Sequence, residues 1–181
     1  MADERPRLFD EAMIARRRDR AMGLGFAGGA DFLWREAGAL IAERLDDVTR
    51  DFPEALLVGT GAGAVTGALG GRAGARRLMQ VEPSPAWAGA AARAAPGAET
   101  KVAAEEPLPV AEGAFDLALS VFALHRLNDP VGHLVQLRRA LRPDGLMIAA
   151  AFGGRTLQEL RAALAPAEAE VAGGLSPRVA P

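Results

Sequence analysis

Three glycines, Gly59, Gly61 and Gly63, follow the short apolar run Ala55–Leu56–Leu57–Val58 and open a stretch of small residues reaching Leu69. Residues without a Cβ let the chain bend sharply and bring its backbone within contact distance of a ligand. Between a strand and the N-terminus of a helix, such a turn lies where open α/β sheets bind their ligands. Taken alone, the spacing equally describes a plain tight turn. Glu82 ends a second apolar segment, Arg77 to Val81, about twenty residues further on, where a carboxylate can accept hydrogen bonds from both hydroxyls of a ribose. A surface carboxylate ahead of a helix would also suit that position. Together the turn and the carboxylate point to a nucleoside-containing cofactor.

Other nucleotide chemistries fit less well. The stretch Gly59-Thr-Gly-Ala-Gly-Ala64 satisfies the loose dinucleotide pattern, but the chain has no tyrosine and its only lysine, Lys101, lies in a different crossover. A Tyr–Lys hydride-transfer pair therefore cannot be assembled, and no Gly-Lys-Ser/Thr follows the glycines to make a phosphate loop. With no cysteine, thiolate metal sites, disulfides and thiol nucleophiles are excluded, and His125 and His133 are too few for a histidine-rich metal centre. No metal site is expected. The 23 acidic and 21 basic groups leave a net charge of −2, which argues against a nucleic-acid partner.

The elements that must position these residues alternate. A helix is expected from Arg7 to about Met22, with Arg16, Arg17, Arg18 and Arg20 as a solvated basic face. Asp31 can cap a second helix in which Leu33, Ala37, Leu40, Ile41 and Leu45 share one face. Strands follow at Ala55–Val58, Arg77–Val81, Glu99–Ala103, Phe115–Val121 and Leu146–Phe152. Helices are expected after the glycine turn, from Ser84 to about Ala94, from Pro130 to Leu141, and from Thr156 to Val171 with a disturbance at Pro166. This alternation predicts a three-layer, Rossmann-like α/β fold with a mostly parallel sheet. The 181 residues make one such domain: a helical cap over 1–50, a cofactor-binding core over 51–172 and an irregular tail over 173–181. The start MADERPRLFDE lacks the apolar segment of a signal peptide, and Leu146–Phe152 is far shorter than the ~20 residues of a membrane span. The reading is a cytoplasmic protein.

At a larger scale the chain resembles a family. The order GTGAG, Glu82, Glu105–Glu106–Pro107–Leu108–Pro109, Phe115–Asp116–Leu117, Leu124–His125 and Leu141–Arg142–Pro143–Asp144–Gly145 is similar to the class I S-adenosylmethionine-dependent methyltransferases of type 11. Within them it is similar to the branch holding the malonyl-carrier-protein methyltransferase of biotin synthesis and the mitochondrial complex I assembly factor 5 group. Phe9–Asp10, the run Arg16–Arg17–Arg18–Asp19–Arg20 and the ending Gly173 to Pro181 resemble bacterial relatives of the latter.

The resemblance implies S-adenosyl-L-methionine as cofactor. Gly59, Thr60, Gly61 and Gly63 would lie against its methionine part and ribose, Glu82 and Pro83 at the ribose, and Ala104 and Glu105 near adenine. Ser120 and Val121 would lead into the segment facing the methyl group, where His125 is the one candidate base; His133 is expected to face solvent or a neighbouring helix. Phe115, Asp116 and Pro143–Asp144–Gly145 are expected to be structural. The sequence departs from the family at Leu57, where an acidic residue usually holds the cofactor's ammonium group, and at Ala104, where an aspartate often meets the adenine amino group. The family's further helix and antiparallel strand pair have no counterpart after Val171. Three functions follow from the resemblance: methyl transfer to a small-molecule or carrier-bound acceptor; arginine hydroxylation or an assembly role on a respiratory-complex subunit, with Arg16, Arg17, Arg18 and Arg20 as the contact for that protein partner; and a fold that has lost its cofactor.

Overall fold

The computed structural model describes residues 7–174. Strands β1 (Glu54–Val58), β2 (Arg77–Glu82), β3 (Glu99–Val102), β4 (Phe115–Val121) and β5 (Leu141–Ala150) form one sheet in the order β3-β2-β1-β4-β5. Every neighbouring pair is parallel. Parallel neighbours need crossovers. Helices α3 (Ala64–Leu69), α4 (Pro85–Ala94) and α5 (Pro130–Ala140) provide three of them, while 103–114 joins β3 to β4 without a helix. Helices α1 (Glu11–Gly23) and α2 (Phe32–Asp46) precede the sheet and α6 (Gln158–Ala172) follows it. The expected irregular tail lies outside the described residues from 175 onward. Among the described residues no helix is long and apolar enough to cross a membrane.

The central strand β1 is an unbroken apolar run from Ala55 to Val58 because both its faces are covered. In β1, Ala55 and Leu57 pack with Ile41, Leu45, Val65, Leu117 and Leu119 on one face. Leu56 and Val58 pack with Val81, Ala118 and Leu137 on the other. Gly38 lets α2 lie close against α3, since a Cβ there would fall 2.7 Å from that of Ala68. Asp116, at the start of β4, accepts the Glu54 N–H at 3.0 Å and pairs with Arg142 at 3.0 Å, tying β4 to its neighbours on both sides.

Several expectations are corrected. Asp10 accepts the Met13 N–H at 2.9 Å and starts α1 at Glu11, not Arg7. Asp31 precedes α2 but makes no capping bond; it pairs with Arg35 instead. The buried face of α2 is Ala37, Gly38, Ile41, Ala42 and Leu45, while Leu33 and Leu40 are 37% and 44% exposed. The turn Arg142–Pro143–Asp144–Gly145 does not precede β5 but bulges within it: Phe115 pairs with Leu141 and Leu117 next with Leu146. Pro166 does not interrupt α6, which buries no residue.

Candidate functional site

The order of the strands reverses between β1 and β4, and the chain around their C-terminal ends carries most of the residues singled out above. The turn after β1 is strained: Gly59, Gly61 and Gly63 have φ of 83°, 57° and 95°, and Ala62 between them has 57°. Phe122, just past β4, also has a positive φ of 50°. A left-handed conformation costs an L-residue about 1–2 kcal/mol, and such strain gathers at functional edges.

The three glycines serve different contacts. A Cβ on Gly59 would lie 2.0 Å from the Val121 carbonyl oxygen, and one on Gly63 would lie 2.6 Å from the Ala94 Cβ, so these two bring β1 to β4 and the turn to α4. A Cβ on Gly61 would strike the Trp34 indole at 2.3 Å. Gly59→Ala is accordingly expected to destabilise the fold by more than about 1 kcal/mol, read as a lower urea midpoint at unchanged m. An unchanged midpoint would refute this tight approach of β1 to β4.

Glu82 is fully buried at the end of β2. Its Oε2 accepts from the Thr60 hydroxyl at 3.2 Å, and its Oε1 accepts from the Ser84 N–H at 3.3 Å and from the Arg18 guanidinium. Burial raises the carboxyl above its ordinary range, against the pull of Arg18. Arg18 is only 8% exposed, with its guanidinium carbon 4.6 Å above the Trp87 ring. The expectation of a wholly solvated basic face therefore fails at Arg18, although Arg16, Arg17 and Arg20 are exposed. On a helix, Arg18 shares the stripe of Ile14 and Met22, which makes it the one arginine of the run that points inward. A partner contact can draw on the other three alone.

A second buried pair lies beside the first. Arg126 forks onto Glu105, with Nη2 to Oε1 at 2.7 Å, and donates from Nε to the Phe122 carbonyl at 3.1 Å. Beside this second pair, against α1, opens a cavity of about 210 Å³ whose wall includes Ala15, Pro83, Ala104, Glu105, Arg126 and Leu127. Pro83, Ala104 and Glu105 thus come together around one hollow, while Glu82, the residue before Pro83, is buried with Arg18 and does not line it.

Ser120 and Val121 are oriented differently. The Ser120 hydroxyl meets His133 Nε2 at 3.1 Å, and His133 Nδ1 meets the Glu105 carbonyl at 3.3 Å. His133 is fully buried, so its expected exposure to solvent is corrected: it pins α5 to the end of β4 and to the loop after β3. Val121 presents its carbonyl to Gly59. His125 stands in a short turn after β4, its ring 4.7 Å from that of Phe152 and its buried Nδ1 without a hydrogen-bond partner. Burial, then the positive fields of Arg126 and Arg18, hold its pKa below the ordinary imidazole value, so the ring is neutral at pH 7.

An aromatic chain that sequence reading missed runs from α2 past the ends of β4 and β5. Trp34 meets Trp87 edge-on at 5.6 Å and Phe122 at 5.4 Å, and Phe122 stacks on Phe152 at 4.5 Å. Rings scattered from 34 to 152 carry no periodic signal; only the fold brings them together.

Comparison with known proteins places this arrangement. Residues 56–149 match a family described as "Methyltransferase domain". The protein named "Arginine-hydroxylase NDUFAF5, mitochondrial" in Danio rerio is 38% identical over 174 residues, which cover 96% of this chain and 54% of that protein. A malonyl-(acyl-carrier protein) O-methyltransferase of Laribacter hongkongensis is 33% identical over 147 residues, covering 75% of this chain and 50% of that one. The chain thus spans about half the length of the curated relatives it matches. A putative methyltransferase solved with the Haloferax volcanii Trm112 activator superposes with a TM-score of 0.59 at 22% identity, covering 69% of this chain and 57% of that chain. That likeness shows the fold.

Proposed function

We propose, from the premise that the chain belongs to the methyltransferase-domain family matched over residues 56–149, that it binds S-adenosylmethionine along the C-terminal edge of its sheet and directs methyl transfer to a small-molecule or carrier-bound acceptor. S-adenosylmethionine is the cofactor of this family and supplies a methyl group on a sulfonium, open to direct displacement. The observation that carries the reading is the buried Glu82 carboxylate, 3.2 Å from the Thr60 hydroxyl of the glycine turn and followed directly in sequence by Pro83, which lines the cavity against α1.

The residues fit the adenosine half of that group. Glu82 offers a carboxylate to the ribose diol, and Pro83, Ala104 and Leu127 offer the cavity an apolar wall suited to a flat ring. At the methionine end the fit is looser, because Leu57, where an acidic residue would hold the ammonium group, is buried in the core. Losing one charged hydrogen bond costs about 1.5–3 kcal/mol, or roughly 10–100-fold in affinity. Displacement asks for alignment and a dry site more than for an acid or base. Trp34, Phe122 and Phe152 offer apolar rings beyond the glycine turn on the side where an acceptor would enter, and His125, whose ring packs on Phe152, is the candidate base.

A second reading has its own support. The 38% identity over 96% of the chain to the protein named an arginine hydroxylase favours action on an arginine of a partner protein, or an assembly role that keeps the cofactor site. Calorimetric titration with S-adenosylmethionine and S-adenosylhomocysteine tests the shared premise: binding is expected, and no heat at about millimolar ligand would leave a fold that has lost its cofactor. Mass spectrometry of a co-expressed acceptor separates the readings: methyl transfer adds a methyl group, arginine hydroxylation adds an oxygen atom, and an assembly role leaves the mass of the partner unchanged.

A further inference from the structure

We infer that Arg18 is a self-occupying gate: its guanidinium holds the Glu82 carboxylate that the cofactor's ribose must use, so the ligand enters only as Arg18 leaves. This rests on the cofactor reading above and adds a regulatory contact to the same site.

The argument is an accounting of lone pairs. An ionised carboxylate has about four acceptor positions. On Glu82 three are taken: one by the Thr60 hydroxyl, one by the Ser84 N–H and one by Arg18. A ribose diol brings two O–H donors, and one position remains for them. Thr60 belongs to the turn after β1 and Ser84 caps α4, where its own hydroxyl accepts the Trp87 N–H at 3.1 Å; both partners are built into the sheet edge. Arg18 reaches in from α1, which lies outside the sheet, and is the partner that can leave without unravelling a strand end.

The helix itself is held. Phe9, ahead of α1, exchanges two hydrogen bonds with Asn128, at 3.0 and 3.1 Å. Asp19 accepts from the Ser84 hydroxyl at 2.6 Å and the Ala86 N–H at 3.0 Å. With α1 anchored on both sides of the cleft, the moving part is the Arg18 side chain, and its stacking on Trp87 gives the guanidinium a resting surface next to the carboxylate. A protein whose binding-competent state is a minor fraction binds with its affinity reduced by that fraction. The gate therefore weakens and slows binding of anything that carries the ribose.

Arg18→Met tests this, because it keeps the stem over Trp87 and removes the charge. Binding of S-adenosylhomocysteine and of adenosine, followed by calorimetry and by stopped-flow tryptophan fluorescence, is expected to tighten about tenfold with a faster association rate. Adenine, which has no diol, should bind wild type and variant alike. If wild type binds S-adenosylhomocysteine and the variant binds it equally or more weakly, the gate is refuted and the cofactor reading stands. An equal gain for adenine also refutes it, since the effect would then be general opening of the cleft. No binding by either protein at about millimolar ligand overturns both. Should Arg18→Met not fold, Arg18→Lys carries the same test, with a smaller gain expected and an unchanged or weaker affinity refuting the gate.

Discussion

Glu82→Gln is expected to weaken binding of S-adenosylhomocysteine by about 100-fold or more, since a charged acceptor for two ribose hydroxyls becomes a neutral one and each such bond carries roughly 1.5–3 kcal/mol. The same change removes the counter-charge of Arg18, whose side chain is 9% exposed at the pair. A buried ion left unpaired destabilises a fold by about 3–5 kcal/mol, so a lower melting temperature should accompany the lost affinity. The two effects can be separated. Combining Glu82→Gln with Arg18→Met removes both charges and should recover much of the stability without recovering affinity, a coupling that a double-mutant cycle measures directly. If Glu82→Gln binds as wild type does, Glu82 has no part in the site and the proposed function falls with it. If the double variant is no more stable than Glu82→Gln alone, the Arg18–Glu82 pair does not stabilise the resting protein.

What could be read in the sequence were features that local chemistry decides. Leu56, Leu57 and Val58 are apolar without alternation, as a central parallel strand requires, and Ser84 caps its helix as a short polar side chain does, accepting the Trp87 N–H. Glu82 was legible from its spacing after the glycine turn, because its position at a strand end depends on that strand alone. What could not be read were pairings made across the fold. Arg18 looked like its solvated neighbours, since nothing local separates an arginine facing water from one facing a carboxylate 64 residues away; only its place on the Ile14–Met22 stripe hinted at it. His133 was expected to face solvent or a neighbouring helix, yet Ser120 and the Glu105 carbonyl satisfy it from β4 and the loop after β3. Leu33 and Leu40 followed the helical period of α2, but Gly38 against Ala68 determines which face of α2 packs on α3.

Glu105→Gln should destabilise the protein more than any surface charge change, and its effect should fade in acid. Burial alone would raise the Glu105 carboxyl, but the Arg126 guanidinium forked onto it outweighs burial and holds it below the ordinary carboxylate range. A carboxyl whose pKa is depressed by folding contributes stability that is present above its unfolded value of about 4.3 and lost as pH falls through the folded value. Removing the charge leaves Arg126 buried and unpaired, at a cost of about 3–5 kcal/mol, a large share of the roughly 5–15 kcal/mol that holds a domain together. At 2–4 °C per kcal/mol for a chain of this size, the melting temperature should fall by roughly 6–20 °C near neutral pH. As pH drops below about 4.3 the unfolded chain takes up the proton first, and once pH has passed the depressed folded value wild-type Glu105 is protonated as well and resembles the amide, so the difference between the two proteins should shrink progressively into acid. Urea titrations of both at a series of pH values measure it. A difference that stays constant into acid would mean that the lost stability comes from altered packing around Arg126, with the ion pair contributing none of it.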